Sequence, residues 1–184
     1  MKKLLMFAVL VASLGLTAAA ESPIKLSLYD SIAWPKTNDT NIVLGLLDAN
    51  TPKVEGISLV LFSSRVDNLT GVSFAKFYTR TNKLTGVQFG LYSVTNNAAG
   101  VSFGLVNNNK KVFAGVQFGL VNIAENMKGV QVAPLFNSAE RLSGVQLGLV
   151  NYVNRINKGL QIGLVNIIEN NGWLPIMVFV NGKF

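Results

Sequence analysis

The 184-residue chain contains no cysteine and no histidine. Without these residues it cannot form disulfides, thiolate nucleophiles, Cys/His zinc sites or a Ser-His-Asp triad. Charged residues are also scarce, at 14%, whereas apolar residues make up 49%. This balance argues against intrinsic disorder and predicts one folded domain stabilised by packing and by backbone hydrogen bonds.

Basic residues outnumber acidic ones, but they are spread along the chain. The chain has 16 basic and 9 acidic residues, for a net charge of +7, and Lys110-Lys111 is the only basic pair after residue 20. Proteins that bind nucleic acids usually cluster their basic residues on one face with aromatic residues between them. We therefore expect no nucleic-acid partner and interpret the mild positive excess as an aid to solubility.

Motifs for nucleotide, phosphate and calcium binding are missing as well. The sequence has no GxxxxGK[ST] loop, no GxGxxG before a helix and no GGxGxD calcium repeat. We predict no catalytic, cofactor or metal site and no enzymatic activity. One enzymatic hypothesis stays open, a glycan-cleaving β-helix in which Asp48 meets Asp67 or Glu55 across adjacent coils.

The first twenty residues have the three parts of a secretory signal peptide. A basic start at Lys2 and Lys3 precedes an apolar run from Leu4 to Leu16, and small residues end at Ala20. The run is shorter than the roughly 20 apolar residues that span a bilayer. We predict cleavage after Ala20 and export from the cytoplasm.

The rest of the chain is an array of tandem repeats. Units begin at Gly86 (GVQFGLYS), Gly100 (GVSFGLVN), Gly115 (GVQFGLVN), Gly129 (GVQVAPLF), Gly144 (GVQLGLVN) and Gly159 (GLQIGLVN). Weaker copies begin at Asn41, Gly56, Gly71 and Gly172, and successive starts lie 13 to 15 residues apart. A period this regular predicts a repeat architecture.

Within a unit, apolar residues alternate with Gln, Ser and Gly. Such alternation, rich in β-branched and aromatic residues, is typical of a strand with one dry face. We expect the alternate apolar residues to form the core, with Gln, Ser and Gly facing outward. A later apolar residue, such as Met127, is expected to return to that core. The predicted core comprises Val87, Phe89, Leu91, Val101, Phe103, Leu105, Val116, Phe118, Leu120, Val145, Leu147, Leu149, Leu160, Ile162 and Leu164, and the equivalents of Met127 are Leu69, Leu84, Phe113, Leu142 and Ile156.

Asparagine recurs after the alternating stretch, at Asn107, Asn122, Asn151 and Asn166. Its side chain suits corners, and stacked copies are able to bond to one another along a ladder. The first glycine of each unit allows a tight corner or a close approach between backbones. Both residue types therefore predict structure rather than a ligand site.

Two architectures present such repeats, a β-solenoid and a small outer-membrane β-barrel or other meander. The alternating band is about 13 Å long at about 3.3 Å per residue, too narrow for the roughly 25 Å apolar belt of a barrel. The spacing also shows no alternation of short turns with long loops. The solenoid is favoured, with a barrel pore as the alternative, supported by Phe184 at the end and by the Gln/Ser rows that would line a lumen.

The predicted organisation has four parts: a signal peptide at 1–20, an N-terminal strand or cap at 21–40, the repeats at 41–171 and a C-terminal cap strand at 172–184. Both tryptophans lie in the two caps, each near a proline, as in Ala33-Trp34-Pro35 and Trp173-Leu174-Pro175. Caps are required because the end coils cannot shield their own cores.

The GVQFGLVN and GLQIGLVN units, with Ala33-Trp34-Pro35 before them and Leu174-Pro175-Ile176 after them, resemble the short surface-repeat proteins of spirochaetes and other diderm bacteria. The resemblance implies export to the outer membrane or cell surface, or alternatively to the periplasm, and no enzymatic activity. We expect a structural or adhesive role, with an unidentified envelope or host partner and with association to the outer membrane.

Overall fold

The computed structural model describes residues 22–29 and 32–184 and contains no helix in that part of the chain. The predicted signal peptide lies outside the described residues. The strands are β1 (Ser22–Tyr29), β2 (Ile32–Trp34), β3 (Asp39–Gly45), β4 (Asp48–Val60), β5 (Ser63–Ala75), β6 (Tyr78–Phe89), β7 (Tyr92–Phe103), β8 (Val106–Phe118), β9 (Val121–Asn170) and β10 (Ile176–Lys183).

The repeats stack as parallel coils of about 15 residues, which confirms the predicted β-solenoid. Strands β3 to β9 pair in parallel with their sequence neighbours. The register aligns equivalent residues of successive units, so that Gly86 pairs with Gly100, Gly100 with Gly115 and Gly115 with Gly129. The chain therefore does not form the antiparallel meander that the alternative pore hypothesis required.

The first glycine of the units that begin at residues 71 to 159 is fixed by two constraints. Gly115 has a φ of 138°, and a Cβ added to it would lie 1.9 Å from the carbonyl oxygen of Gly100 in the coil below. L-residues rarely adopt such a φ, and no side-chain atom fits within 2 Å of a carbonyl. The predicted corner and the predicted close approach of backbones both occur here.

The predicted core rows are wrong, because they face the other way. None of the fifteen residues is buried, whereas the Gln and Ser residues that alternate with them are fully buried. The misassigned residues are Val87, Phe89, Leu91, Val101, Phe103, Leu105, Val116, Phe118, Leu120, Val145, Leu147, Leu149, Leu160, Ile162 and Leu164. The predicted returning residues are confirmed as interior: Leu69, Leu84, Phe113, Met127, Leu142 and Ile156 are each at most 2% exposed.

Amide side chains occupy the interior in rows that hydrogen-bond from coil to coil, although Gln117 Nε2 and Gln161 Oε1 are buried without a partner. The side-chain amide of Gln131 donates to Oε1 of Gln117 at 2.9 Å, Gln146 donates to Gln131 at 2.7 Å, and Gln161 donates to Gln146 at 2.8 Å. A buried polar group is costly only when it lacks a partner. In a stack of identical units, each Gln meets its own copy one coil away.

A second ladder runs through the predicted asparagines. Asn107 donates to Asn122 at 2.8 Å, and the chain of bonds continues through Asn137 and Asn151 to Asn166 at 3.1, 3.0 and 2.9 Å. The predicted ladder is confirmed. The bend itself lies just before the asparagine, at Gly119 and Leu120 in the coil of Asn122.

The interior residues change along the stack. In the C-terminal coils glycine makes room for asparagine, since a Cβ on Gly119 would lie 2.8 Å from the amides of both Asn107 and Asn122. In earlier coils the asparagine row is replaced by Ser64, which pairs in register with Thr79. There Val60 and Ala75, both buried, stand where most later units have glycine. In these two coils a smaller polar residue accompanies a larger apolar one.

Two residues that depart from the repeat pattern lie outside the interior rows. Lys76 stands where most other units have leucine, and it is exposed with its ammonium 5.6 Å from the centre of the Phe77 ring. Pro134 is the extra residue of its unit and is exposed. Neither residue interrupts the interior rows.

Both ends of the stack carry irregular strands, in the regions predicted as caps. At the N-terminal end, β1 pairs in parallel with β3 and in antiparallel with β2. Buried side chains of β1 also occupy backbone acceptors of β4, since Lys25 Nζ donates to the Asn50 carbonyl at 2.8 Å and Ser27 Oγ to the Asp48 carbonyl at 2.8 Å. At the other end β10 reverses direction and pairs in antiparallel with β9.

Candidate interaction surface

The apolar rows that were expected inside form a continuous outer surface, which we call the apolar face. It consists of the outward residues in the first part of each unit, together with the leucines at the following bend. The bend leucines Leu91, Leu105, Leu120, Leu149 and Leu164 are each 40–55% exposed. Equivalent residues of neighbouring coils lie about 4.8 Å apart, so these side chains form unbroken rows.

Aromatic rings stack along this face. The rings of Phe89 and Phe103 lie 4.8 Å apart with planes 4° from parallel, and those of Phe103 and Phe118 lie 5.1 Å apart at 7°. Phe62 and Phe77 stack in the same way at 5.2 Å. Stacked rings restrain one another's rotamers, so the face is a fixed surface that loses little side-chain entropy on contact.

The size of the apolar face exceeds what a soluble monomer usually exposes without a role. Nine units between residues 41 and 165 contribute to it. At about 4.8 Å per coil and about 3.3 Å per residue, it measures roughly 40 by 15 Å, or on the order of 600 Å². That is the upper end of the largest apolar patches on monomeric proteins, which are often functional.

The apolar face carries almost no charge. Among the described residues, Lys76 is the one charged side chain within the units' outward apolar stretch, and no acidic side chain lies there. Charged residues border it directly before the first glycine of some units: Lys128 and Lys158 are exposed there, and Glu55 lies in the same row as Lys128. The face is thus apolar and nearly uncharged, and its border row carries two lysines and one glutamate.

At the N-terminal end the apolar face deepens into an open groove of about 770 Å³. Leu44 and Leu59 of the repeats form its floor, and Leu26, Ile32 and Trp34 of β1 and β2 form its walls. Trp34 is 76% exposed. The groove is continuous with the face and extends the same apolar surface.

The acids considered for glycan cleavage are engaged in separate polar contacts. Asp48 pairs with Arg65, Asp67 accepts a hydrogen bond from Asn82, and Glu55 lies 2.9 Å from Lys53 Nζ. Hydrogen bonds from Lys53 to Asp39 and then to Glu55 raise the pKa of that lysine. These pairings hold Asp48, which is buried, in an ion pair, and Glu55 and Asp67 in an ion pair and an amide contact, an arrangement that does not require a substrate.

Metal ligation finds no support in the described part of the chain. No group of three or more Asp, Glu, His or Cys residues there is placed to hold an ion. Sequence reasoning missed the apolar face because period-two alternation does not say which side is inward. A usable signal was present, since every polar row was an amide or hydroxyl repeated in register, the pattern that stacking satisfies.

The comparisons with known proteins give no relative. No family model, curated protein or solved structure matches the chain. Within the described residues, no helix is both long enough and apolar enough to cross a membrane.

Proposed function

We propose that this chain is an exported, non-enzymatic repeat protein of a diderm bacterial envelope, located at the outer membrane or cell surface. Its role is structural or adhesive, exerted by contact with an envelope or host partner. The assignment agrees with the predicted signal peptide and with the resemblance of the units to short surface-repeat proteins. In this role the chain is a rigid scaffold that presents an extended surface to its partner.

The observation that carries the proposal is the apolar face. An enzyme needs a local constellation that differs from its surroundings, with groups of perturbed pKa in a cleft. Here outward apolar side chains recur at equivalent positions of successive coils, from Leu44 to Leu164. Repetition of this kind provides an extended surface, as in other solenoid proteins that act by binding.

Because the Gln and Ser rows face inward, a different surface is proposed to contact the partner. The Gln and Ser rows that were expected to face outward are buried and bonded from coil to coil, so they are not available to a partner. The exposed surfaces are the apolar face and the polar sides with the variable residues after each asparagine. We assign the contact role to the apolar face.

Localisation tests the proposal directly. A C-terminally tagged chain should be processed after Ala20, should fractionate with the envelope and should be degraded when intact cells are treated with protease. A matched chain lacking residues 2–20 should stay unprocessed in the cytoplasm. Full-length protein found in the cytoplasm with its N-terminus intact would refute export, and complete protection from external protease would refute surface exposure.

A further inference from the structure

We infer that the apolar face seats the solenoid flat on a lipid leaflet that contains anionic headgroups, with the solenoid axis in the membrane plane. The inference rests on the proposed envelope location and names the partner of that same surface. It does not require the chain to cross the bilayer. Three properties of the face support a lipid partner.

The first property is that the backbone beneath the face is already bonded. The amide of Leu105 donates to the Leu91 carbonyl at 2.9 Å, and the amide of Leu120 donates to the Leu105 carbonyl at 2.9 Å. The amide of Gly119 donates to the Val132 carbonyl at 3.0 Å. Hydrocarbon cannot satisfy backbone groups, so only a surface whose backbone is internally paired contacts it without penalty. The bend of each coil meets that condition.

The second property is the distribution of charge. Leaving out Lys2, Lys3, Glu21 and Asp30, the described part of the chain carries 14 basic and 7 acidic side chains. Lys128 and Lys158 are exposed beside the apolar face, and Lys76 projects from it. Apolar residues with flanking lysines match an interface in which acyl chains lie beneath phosphate groups.

The same charges disfavour a second copy of the chain as the occupant. Two solenoids pressed face to face would bring their border lysines together, and like charges repel across an interface. The face would bury on the order of 600 Å² per partner, at the lower limit of the roughly 1,200–2,000 Å² in total that standard stable complexes bury. An anionic leaflet carries the opposite charge, and its extent does not limit the area of the apolar face that is buried.

The third property is an exposed aromatic residue at the end of the face. Trp34 lines the N-terminal groove together with Leu44 and Leu46. Tryptophan prefers the boundary between headgroups and acyl chains, where its ring is partly apolar and its N–H finds a partner. The groove provides space for an acyl chain at this end of the solenoid.

Vesicle flotation with purified protein tests the inference. One set of vesicles contains equal parts of phosphatidylcholine and phosphatidylglycerol, and the other contains phosphatidylcholine alone. We expect the protein to float with the anionic vesicles, to float less with the neutral ones, and to show a blue-shifted tryptophan emission when bound. Added salt should weaken the binding without abolishing it, because salt screens the attraction between the border lysines and the anionic headgroups but not the burial of the apolar face.

Variants matched for exposure locate the contact. Phe118 lies on the face and Ile123 lies beyond the asparagine row, in register with Asn108, and both are 39% exposed. Burial of one such side chain corresponds to about tenfold in affinity, so Phe118→Ser should weaken vesicle binding by about that factor and Phe118→Ser with Leu120→Ser by more. Ile123→Ser should bind like the unaltered protein. Circular dichroism melts verify that each variant is folded.

The outcomes separate this inference from the proposed function. Failure to float with anionic vesicles, equal binding by the Phe118 and Ile123 variants, or a soluble dimer that depends on Phe118 would overturn the lipid assignment. A protein that binds vesicles through Phe118 but is retained unprocessed in the cytoplasm would refute the envelope location alone.

Discussion

The interior of the solenoid and its apolar face are built from alternate residues of the same strands, yet they reverse the usual arrangement. Gln117 and Asn122 are fully buried, whereas Phe118 and Leu120 between them are about 40% exposed. In the interior the stacked amides bond to one another from coil to coil, which offsets much of the cost of burying them. Outside, the apolar residues gain from stacking along the rows but remain available to a partner. In repeated strands, hydrogen bonding between stacked polar side chains therefore competes with the burial of apolar side chains in deciding which face of the strand points inward.

The largest effect should come from the corner glycines that allow the coils to stack. Gly115→Ala adds a Cβ that would lie 1.9 Å from the Gly100 carbonyl oxygen, at a φ of 138°. We expect a loss of more than about 3 kcal/mol in the free energy of unfolding, since strain and overpacking add together. Thermal melts followed by circular dichroism measure it. A melting temperature within a degree or two of the unaltered protein would contradict the proposed corner geometry.

A reciprocal pair of substitutions sharpens the contrast between inside and outside. Asn151 is fully buried and donates to Asn166 Oδ1 at 2.9 Å and to the Ile162 carbonyl at 3.0 Å, whereas Leu149, two residues earlier, is 52% exposed. Asn151→Leu keeps the size but leaves buried partners unsatisfied, which should cost about 2–3 kcal/mol. Leu149→Asn should change stability by less than about 1 kcal/mol.

Urea unfolding of the two variants decides between the two assignments of sidedness. The predicted order is a clear loss for Asn151→Leu and a small change for Leu149→Asn. If instead the leucine were the core residue, Leu149→Asn would be the damaging substitution and Asn151→Leu would be tolerated or stabilising.

Much of this architecture follows from the sequence, and the part that does not has a physical cause. The spacing of Gly86, Gly100 and Gly115 predicts the coil length and the stacking, because stacking in register gives every identical unit the same contacts with its neighbours. The asparagine ladder and the returning residue Phe113 follow for the same reason. The inward side does not follow, because alternation defines two faces without saying which one a neighbouring coil will cover.

The apolar face was unpredicted for the same reason. A hydrophobicity rule assigns Phe103 to the core, and it takes no account of Ser102, which accepts a bond from Gln88 at 3.0 Å and donates to Asn107 at 2.7 Å. Ser102 and Asn107 belong to one unit, and Gln88 belongs to the unit before it. Polar satisfaction across coils emerges only when the register is known.

The smallest predicted effect concerns a polar contact on the outer side, where water competes. The hydroxyl of Tyr152 donates to Glu169 at 2.8 Å, and that bond, followed by partial burial, raises the pKa of the phenol above its ordinary value of about 10. A raised pKa means that the contact stabilises the fold below pH 10 and that this contribution is lost as the pH rises through the folded-state pKa.

Replacing the acid tests that assignment. Glu169→Gln removes the carboxylate, so the pKa of Tyr152 should fall toward its ordinary value while the melting temperature at neutral pH changes little. Absorbance titration of the phenolate, with Tyr152→Phe to identify the signal among the 4 tyrosines, measures the shift. An unchanged titration curve would show that Glu169 does not hold the hydroxyl.

Thiol accessibility tests the central assignment of inside and outside most directly, because the chain has no cysteine of its own. Ser102→Cys places a thiol in the buried polar row, where the serine is 0% exposed, and Leu105→Cys places one on the apolar face, where the leucine is 47% exposed. In folded protein a maleimide should label position 105 rapidly and position 102 only after urea unfolding. Rapid labelling at 102 with protection at 105 would contradict the structure described here.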